Sequence, residues 1–244
     1  MLIASLIVLG TALALLGYWL IYVTEGTYWG TRAVIVMYDW TAKRYNAIKQ
    51  LQFVDEVLFL GRPLAQILAQ DAEAMILDVA TGTGRLPAAV LSRPEFRGRV
   101  IGIDRSKGML AQAQKDLAKW PQRATLLRQD ARALGFRRES FDVVTCLEAL
   151  EFITEPGRAL EEMYRVLKPG GTLLISNRIG KESSWFPRRI AGRGKLETAL
   201  REMGWEDVRK QRWQVHYDLI WARRPERENV REEAADEKEL YLVG

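Results

Sequence analysis

Cysteine and histidine are almost missing from this 244-residue chain, which holds one of each, Cys146 and His216. That excludes a disulfide scaffold. It also excludes a zinc site assembled from the usual thiolate and imidazole ligands, so no metal is expected. Proline is sparse at eight residues, and neither an internal repeat nor a low-complexity tract interrupts the chain. Disorder is not a property of the whole, because 48% hydrophobic and 27% charged residues are ordinary values for a chain that buries a core. The length suits one large domain, or a domain with appendages.

Charge is missing altogether from Leu2 to Val23. A helix of that length spans roughly 33 Å, about the hydrocarbon thickness of a bilayer. Tyr18, Trp19 and Tyr22 gather at its end, where amphipathic rings favour the membrane–water interface. A cleaved signal peptide fits less well: no basic residue precedes the run, and no small-x-small site comes after it. Arg32, Lys43, Arg44 and Lys49 come after the span, so the positive-inside rule keeps the body of the protein in the cytoplasm. Residues 1–24 are therefore expected to form a single-pass anchor.

The opposite end is short of apolar residues. After Pro225 come seven acidic and three basic residues, which leaves 33 basic against 24 acidic on the remainder, a charge of +9. Residues 225–244 read as a solvated, charged tail. A basic body on an anchor has an obvious partner in the anionic lipid surface.

Between these ends, short apolar runs alternate with helical periodicity. Strands are predicted at Met75–Val79, Val100–Ile103, Ala124–Arg128, Val143–Cys146 and Thr172–Asn177, then at Val208–Gln214 and Tyr217–Arg223. Helices are predicted at Leu86–Ser92, Lys107–Lys119, Gly157–Leu167 and Lys195–Met203. This alternation implies a doubly wound α/β domain over residues 75–224. Residues 25–74 form a helical lead-in, with a break at Gly61-Arg62-Pro63.

The chemistry concentrates in Leu77-Asp78-Val79-Ala80-Thr81-Gly82-Thr83-Gly84-Arg85, an apolar strand running into a glycine turn and then a helix. Gly82 and Gly84 permit close backbone approach to a ligand. Asp104 ends the next strand, where a carboxylate suits the two hydroxyls of a ribose. A dinucleotide would use the same pair, but its third glycine falls on Pro87, which weighs against NAD.

In order, these segments resemble the class I S-adenosylmethionine-dependent methyltransferases. Gly102-Ile103-Asp104 with Ser106 and Met109, Gln129-Asp130-Ala131, Phe141-Asp142-Val143-Val144 through Glu151, and Arg165 to Gly171 match further motifs of that family. Met37-Tyr38-Asp39-Trp40-Thr41-Ala42-Lys43-Arg44-Tyr45-Asn46 is similar to the opening helix of the ubiquinone/menaquinone C-methyltransferases, with Asn46 where that group has Asp. The resemblance implies a Rossmann-like, mostly parallel seven-stranded sheet, with S-adenosylmethionine as the cofactor. It assigns cofactor contacts to Asp78, Ala80, Gly82, Gly84, Asp104, Arg105, Met109, Asp130, Ala131 and Leu147. Tyr38 and Tyr45 become cap residues.

No residue stands out as a general base. Glu148 and Glu151 are the candidates, while Cys146 and His216 read as structural. Trp185 and Phe186, beside Arg188, Arg189, Arg193 and Lys195, read as an apolar wedge with basic flanks, covering the substrate or meeting a membrane. The resulting expectation is a membrane-anchored methyltransferase acting on a lipid, a quinone precursor or another amphiphile. A cofactor-binding scaffold without catalysis, an NAD-linked oxidoreductase and an RNA methyltransferase remain alternatives. RNA is disfavoured because the chain carries no added nucleic-acid module.

Overall fold

The computed structural model describes residues 2–49, 56–186, 190 and 194–226. Helix α1 (Leu2–Tyr18) ends in a π turn, Trp19–Val23. The stretch Ile3–Ile21 is long and apolar enough to cross a membrane, and none of it is buried against the rest of the chain. Seven residues separate that turn from helix α2 (Thr31–Lys49). A second π turn, Val57–Gly61, leads into α3 (Arg62–Ile67). The break expected at Gly61-Arg62-Pro63 is absent: Gly61 and Arg62 keep right-handed helical backbone, so the chain stays helical from Val57 to Ile67. Pro63 is tolerated because it falls in the first turn of α3, and Gly61 allows close packing, since a Cβ there would sit 2.6 Å from the Ala89 carbonyl oxygen.

The remaining elements run β1 (Met75–Val79), α4 (Arg85–Leu91), β2 (Arg99–Asp104), α5 (Lys107–Asp116), β3 (Ala124–Arg128), β4 (Phe141–Cys146), α6 (Pro156–Val166), β5 (Leu167–Arg178), α7 (Lys195–Glu202), β6 (Glu206–Arg212) and β7 (Tyr217–Arg223). The seven strands form one sheet in the order β3-β2-β1-β4-β5-β7-β6. Neighbours from β3 to β5 are parallel. Strand β7 pairs antiparallel with both β5 and β6, so the sheet is mixed and mostly parallel.

Strand sequences explain the layering. In β1 and β4 nearly every residue is buried, because helices cover both faces of a parallel sheet. One core cluster joins Leu77, Val144, Leu160, Met163 and Leu200 on one face; another joins Ile76, Val90, Val100, Leu174 and Leu219 on the other. Strand β6 is the exception. It forms one edge of the sheet, opposite β3, and of its seven residues only Val208 is even half-buried.

Element ends differ from expectation where local chemistry intervenes. Strand β5 starts at Leu167, ahead of the predicted Thr172. Its register to β4 slips between Phe141 and Val143, and Gly170 turns left-handed at φ +73°. Helix α5 stops at Asp116, short of Lys119, and a turn intervenes before Pro121. Of the expected elements, part of the lead-in (50–55), the basic flank 187–189 with 191–193, and the tail 227–244 lie outside the described residues.

Candidate active site

The carboxyl ends of β1, β2 and β4 and the loop after β3 border a cleft of about 870 Å³, partly open to solvent. This is where ligands bind in open parallel sheets. Ala80, Gly82, Asp104, Arg105, Met109, Asp130, Ala131 and Leu147 all line it, as do Tyr38, Tyr45 and Glu148. A smaller adjoining cavity is bordered by Asp78, Thr81, Arg85 and Trp213, and shares Tyr45, Ala80, Gly82, Leu147 and Glu148 with the first. Eight of the ten residues assigned to the cofactor by resemblance thus meet around one space. Asp78 faces the adjoining cavity. Gly84 faces neither: it turns left-handed at φ +79° to start α4, where an added Cβ would strike Leu117.

The glycine loop is held from both sides by carboxylates. Asp104 accepts from the Gly82 N–H at 2.9 Å and from the Ser106 N–H at 2.8 Å, one bond to each oxygen. Lone pairs remain on both oxygens for a ligand's hydroxyls. Burial raises its carboxyl above the usual carboxylate range. Asp78 is buried and accepts from the hydroxyls of Thr81 and Thr145, each at 2.6 Å. Burial pushes its pKa up to about 6, although both hydroxyls pull the other way. These contacts tie Asp78 to the glycine loop and to β4. At the far end of the cleft Asp130 is paired with Arg132 at 2.9 Å and Arg105 at 3.3 Å, and the Arg132 bonds hold its carboxyl below the usual range.

Two non-glycine residues bracket the cleft in the left-handed region, Ala80 at φ +58° and Glu148 at φ +50°. Such strain gathers at functional sites when surrounding contacts hold it. The Glu148 N–H donates to Ser176 Oγ, and its carboxylate accepts from Gln214 at 3.2 Å. The carboxylate candidates for proton removal therefore separate. Glu148 lines both cavities. Glu151 does not reach the cleft: it is buried, accepts from the Tyr217 hydroxyl at 2.5 Å and pairs with Arg178 at 3.5 Å.

Helix α2 roofs the cleft with Thr31, Val34, Ile35, Tyr38 and Tyr45. Its clamps come from Asp39 and Asn46, to which sequence reading gave no role. Asp39 accepts from Ser106 Oγ at 2.5 Å and from the Gly108 N–H at 2.7 Å. Gly108 is required there, since a Cβ would lie 2.7 Å from the Asp39 carbonyl oxygen. Asn46 accepts from Thr83 Oγ1 at 2.6 Å and donates to Asp116 at 2.5 Å. It ties the roof to the glycine loop and to α5 at once. An Asp at 46 could not donate to Asp116, so the departure from the family pattern has a local reason.

Nearer the apolar helix, Tyr38 donates to Glu25 at 2.6 Å. Arg178 contacts Glu25 at 3.4 Å and the Tyr217 hydroxyl at 3.0 Å, and lies 4.0 Å over the Phe186 ring. Phe186 is therefore not a surface wedge; it is buried with Val34 and Phe152. Trp185 is half-buried against Trp19, 6.3 Å between ring centres, and neither aromatic lines the cleft. Of the basic flank, Lys195 begins α7, while Arg188, Arg189 and Arg193 fall outside the described residues. Cys146 is buried at the end of β4, where burial pushes its thiol up, out of reach of ionisation at neutral pH. His216 sits in the β6–β7 loop, its carbonyl accepting from the Ile179 N–H.

Residues 77–175 match a family described as methyltransferase domain. Among curated relatives, demethylmenaquinone methyltransferase of Streptomyces avermitilis is 32% identical over 169 residues, 68% of this chain and 68% of that protein. The chain belongs to the S-adenosylmethionine-dependent methyltransferases of this type. The demethylmenaquinone methyltransferase of Clavibacter sepedonicus is 34% identical over 142 residues, 58% of this chain. The chain spans 56–63% of the length of the first three such relatives. Among solved structures, a phosphoethanolamine N-methyltransferase of Haemonchus contortus in complex with S-adenosyl-L-methionine shares the fold, with TM-score 0.54 and 20% identity over 63% of this chain and 49% of that one.

Proposed function

We propose that this protein is a membrane-anchored methyltransferase that transfers a methyl group from S-adenosylmethionine to an amphiphilic acceptor, a lipid or quinone precursor. One observation carries the reading: seven residues separate the helix that roofs the cleft from an apolar helix long enough to span a bilayer. The names of the relatives, demethylmenaquinone methyltransferases, favour a quinone precursor among the amphiphiles. The segment joining the two helices supports retention of the apolar one. Thr24 and Thr27 are buried and Glu25 is ion-paired, so the chain is built into the domain from residue 24 onward.

The residues present fit the cofactor. Asp104 keeps free lone pairs for ribose hydroxyls, Met109 and Ala131 supply apolar walls for a purine, and the Gly82 backbone leaves open space for the amino-acid end. Bound there, the cofactor supplies a sulfonium methyl already activated for in-line transfer. The chain's own contribution is to position and to dry the site, which can lower a barrier by about 7–11 kcal/mol. Tyr38, Tyr45 and Phe152 close the space from the roof side. Glu148, oriented by Gln214 and facing both cavities, is the carboxylate placed to take a proton from an acidic acceptor. The domain faces the cytoplasm, in keeping with the basic residues after the span.

Calorimetry of S-adenosylmethionine on the full chain in detergent tests the cofactor half. Asp104→Ala should weaken binding about 100-fold, the cost of losing charge-assisted bonds at a buried site. Equal binding by both chains would sink the assignment. Incubating membranes with methyl-labelled cofactor and extracting them into organic solvent tests the acceptor half. Label confined to the aqueous phase would count against an amphiphile.

A further inference from the structure

Sequence reading placed Tyr18, Trp19 and Tyr22 at a membrane interface and set Trp185 and Phe186 over the substrate or against a membrane, yet further exposed aromatics lie on and just ahead of α2. Trp40 is 85% exposed, Val36 65%, Trp29 54% and Tyr28 48%. Val36 and Trp40 are four residues apart and share one stripe of α2. Exposed Arg32, Lys43 and Arg44 flank that stripe. The one acid on this side, Asp39, turns its carboxylate inward to Ser106 and Gly108. Beside that engaged carboxylate, the outward face of α2 offers positive side-chain charge around Val36 and Trp40, with Trp29 exposed in the turn just ahead of the helix.

We propose that this outer face of α2 rests on the anionic surface of the bilayer, so that lipid backs the helix that roofs the cleft. The inference rests on the membrane-anchored reading above. Three observations select lipid over a protein partner. The face is continuous in sequence with the apolar helix, separated from it by seven residues whose buried threonines hold them against the domain. Apart from Asp39, the charge is of one sign, complementary to anionic headgroups. Tryptophan with arginine and lysine around an apolar stripe is the composition of helices that lie in the interfacial plane.

The helix then has two faces with two tasks. Val34, Ile35 and Tyr38 line the cleft while Val36 and Trp40 meet lipid. An acceptor leaving the bilayer would meet the cleft at its edge, without crossing water.

Site-specific fluorescence tests this on the full chain. Cys146 is the sole cysteine and is buried, so Trp40→Cys can carry an environment-sensitive probe at a single position. Val215→Cys, 76% exposed on the β6–β7 loop, serves as the reference. Both chains are reconstituted into vesicles of phosphatidylcholine with or without phosphatidylglycerol and a spin-labelled lipid quencher. Flotation reports insertion independently. The expected result is strong quenching at 40, little at 215, and an increase at 40 when phosphatidylglycerol is present. Replacing Arg32, Lys43 and Arg44 by Gln should abolish that increase, each basic residue being worth about fivefold in partitioning.

A chain that floats while its probe at 40 stays as unquenched as the one at 215 overturns the inference and leaves the anchor intact. A chain that does not float overturns the anchor; added to anionic vesicles from solution, it still decides the inference by whether the probe at 40 is quenched. Shielding at 40 in lipid-free detergent that grows with protein concentration would assign the face to a second copy and overturn the proposal.

Discussion

Two sides of helix α2 are fastened by different chemistry. On one side, Tyr38 joins a buried ionic cluster with Glu25, Arg178, Glu151 and Tyr217. On the other, the adjacent Asp39, with Asn46 two turns on, uses short hydrogen bonds to Ser106, Gly108, Thr83 and Asp116. The first side binds the segment after the apolar helix to β5 and β7. The second binds the roof to the glycine loop and to α5. A buried ion cluster collapses when one charge is removed, whereas a chain of hydrogen bonds fails link by link.

The largest expected effect tests the ionic side. Arg178→Met leaves Glu25 and Glu151 without their shared cation in a buried place, and should cost about 3–5 kcal/mol of stability, read from denaturant unfolding. A loss below about 1 kcal/mol would mean the carboxylates share a proton instead, and the contrast between the two sides would disappear. Next comes Asn46→Asp, which sets two carboxylates against each other and should cost about 1–3 kcal/mol. Because Asn46 also holds Thr83, weaker cofactor binding should accompany the loss. Destabilisation with unchanged affinity would detach the roof clamp from the loop.

A pH effect comes third. Burial raises the Asp78 pKa from 3.8 to about 6 in the folded chain. The stability this group contributes is therefore complete below about pH 4 and is lost as the pH rises through about 6. A cationic ligand beside the ionised carboxylate relieves that loss. The increase in Tm on adding S-adenosylmethionine should thus be larger at pH 7.5 than at pH 5, by up to about tenfold in apparent affinity. Asp78→Asn should flatten the dependence; an equally steep profile in that variant would move the effect to Asp104. The smallest change is Tyr38→Phe, which removes only the bond to Glu25 and should cost about 1 kcal/mol in thermal unfolding. A much larger loss would show that the tyrosine, not Arg178, anchors the cluster.

Much of this was legible in the sequence. Short, nearly continuous apolar runs between helical stretches give the sheet, and the glycine loop with Asp104 gives the position of the cleft, because local backbone chemistry dictates both. What escaped was long-range pairing. Nothing near Glu151 in sequence indicates that Tyr217 and Arg178 will claim its carboxylate. Nothing near Phe186 indicates that a guanidinium from β5 will cover it. Asp39 stands inside the aromatic motif, but its inward turn depends on Gly108, 69 residues away. The exposed stripe on α2 had a faint signal, Trp40 between Arg32 and Lys43, which helical projection would have brought together.

The β6 edge of the sheet has one more consequence. Strand β6 reads Glu206-Asp207-Val208-Arg209-Lys210-Gln211-Arg212, with five charged residues among seven and almost nothing buried. The anchor proposed above would confine copies to two dimensions and raise the frequency with which bare strand edges meet. An edge crowded with ionised side chains resists pairing with another edge. The least apolar strand in the fold would thus guard against the aggregation that such confinement promotes.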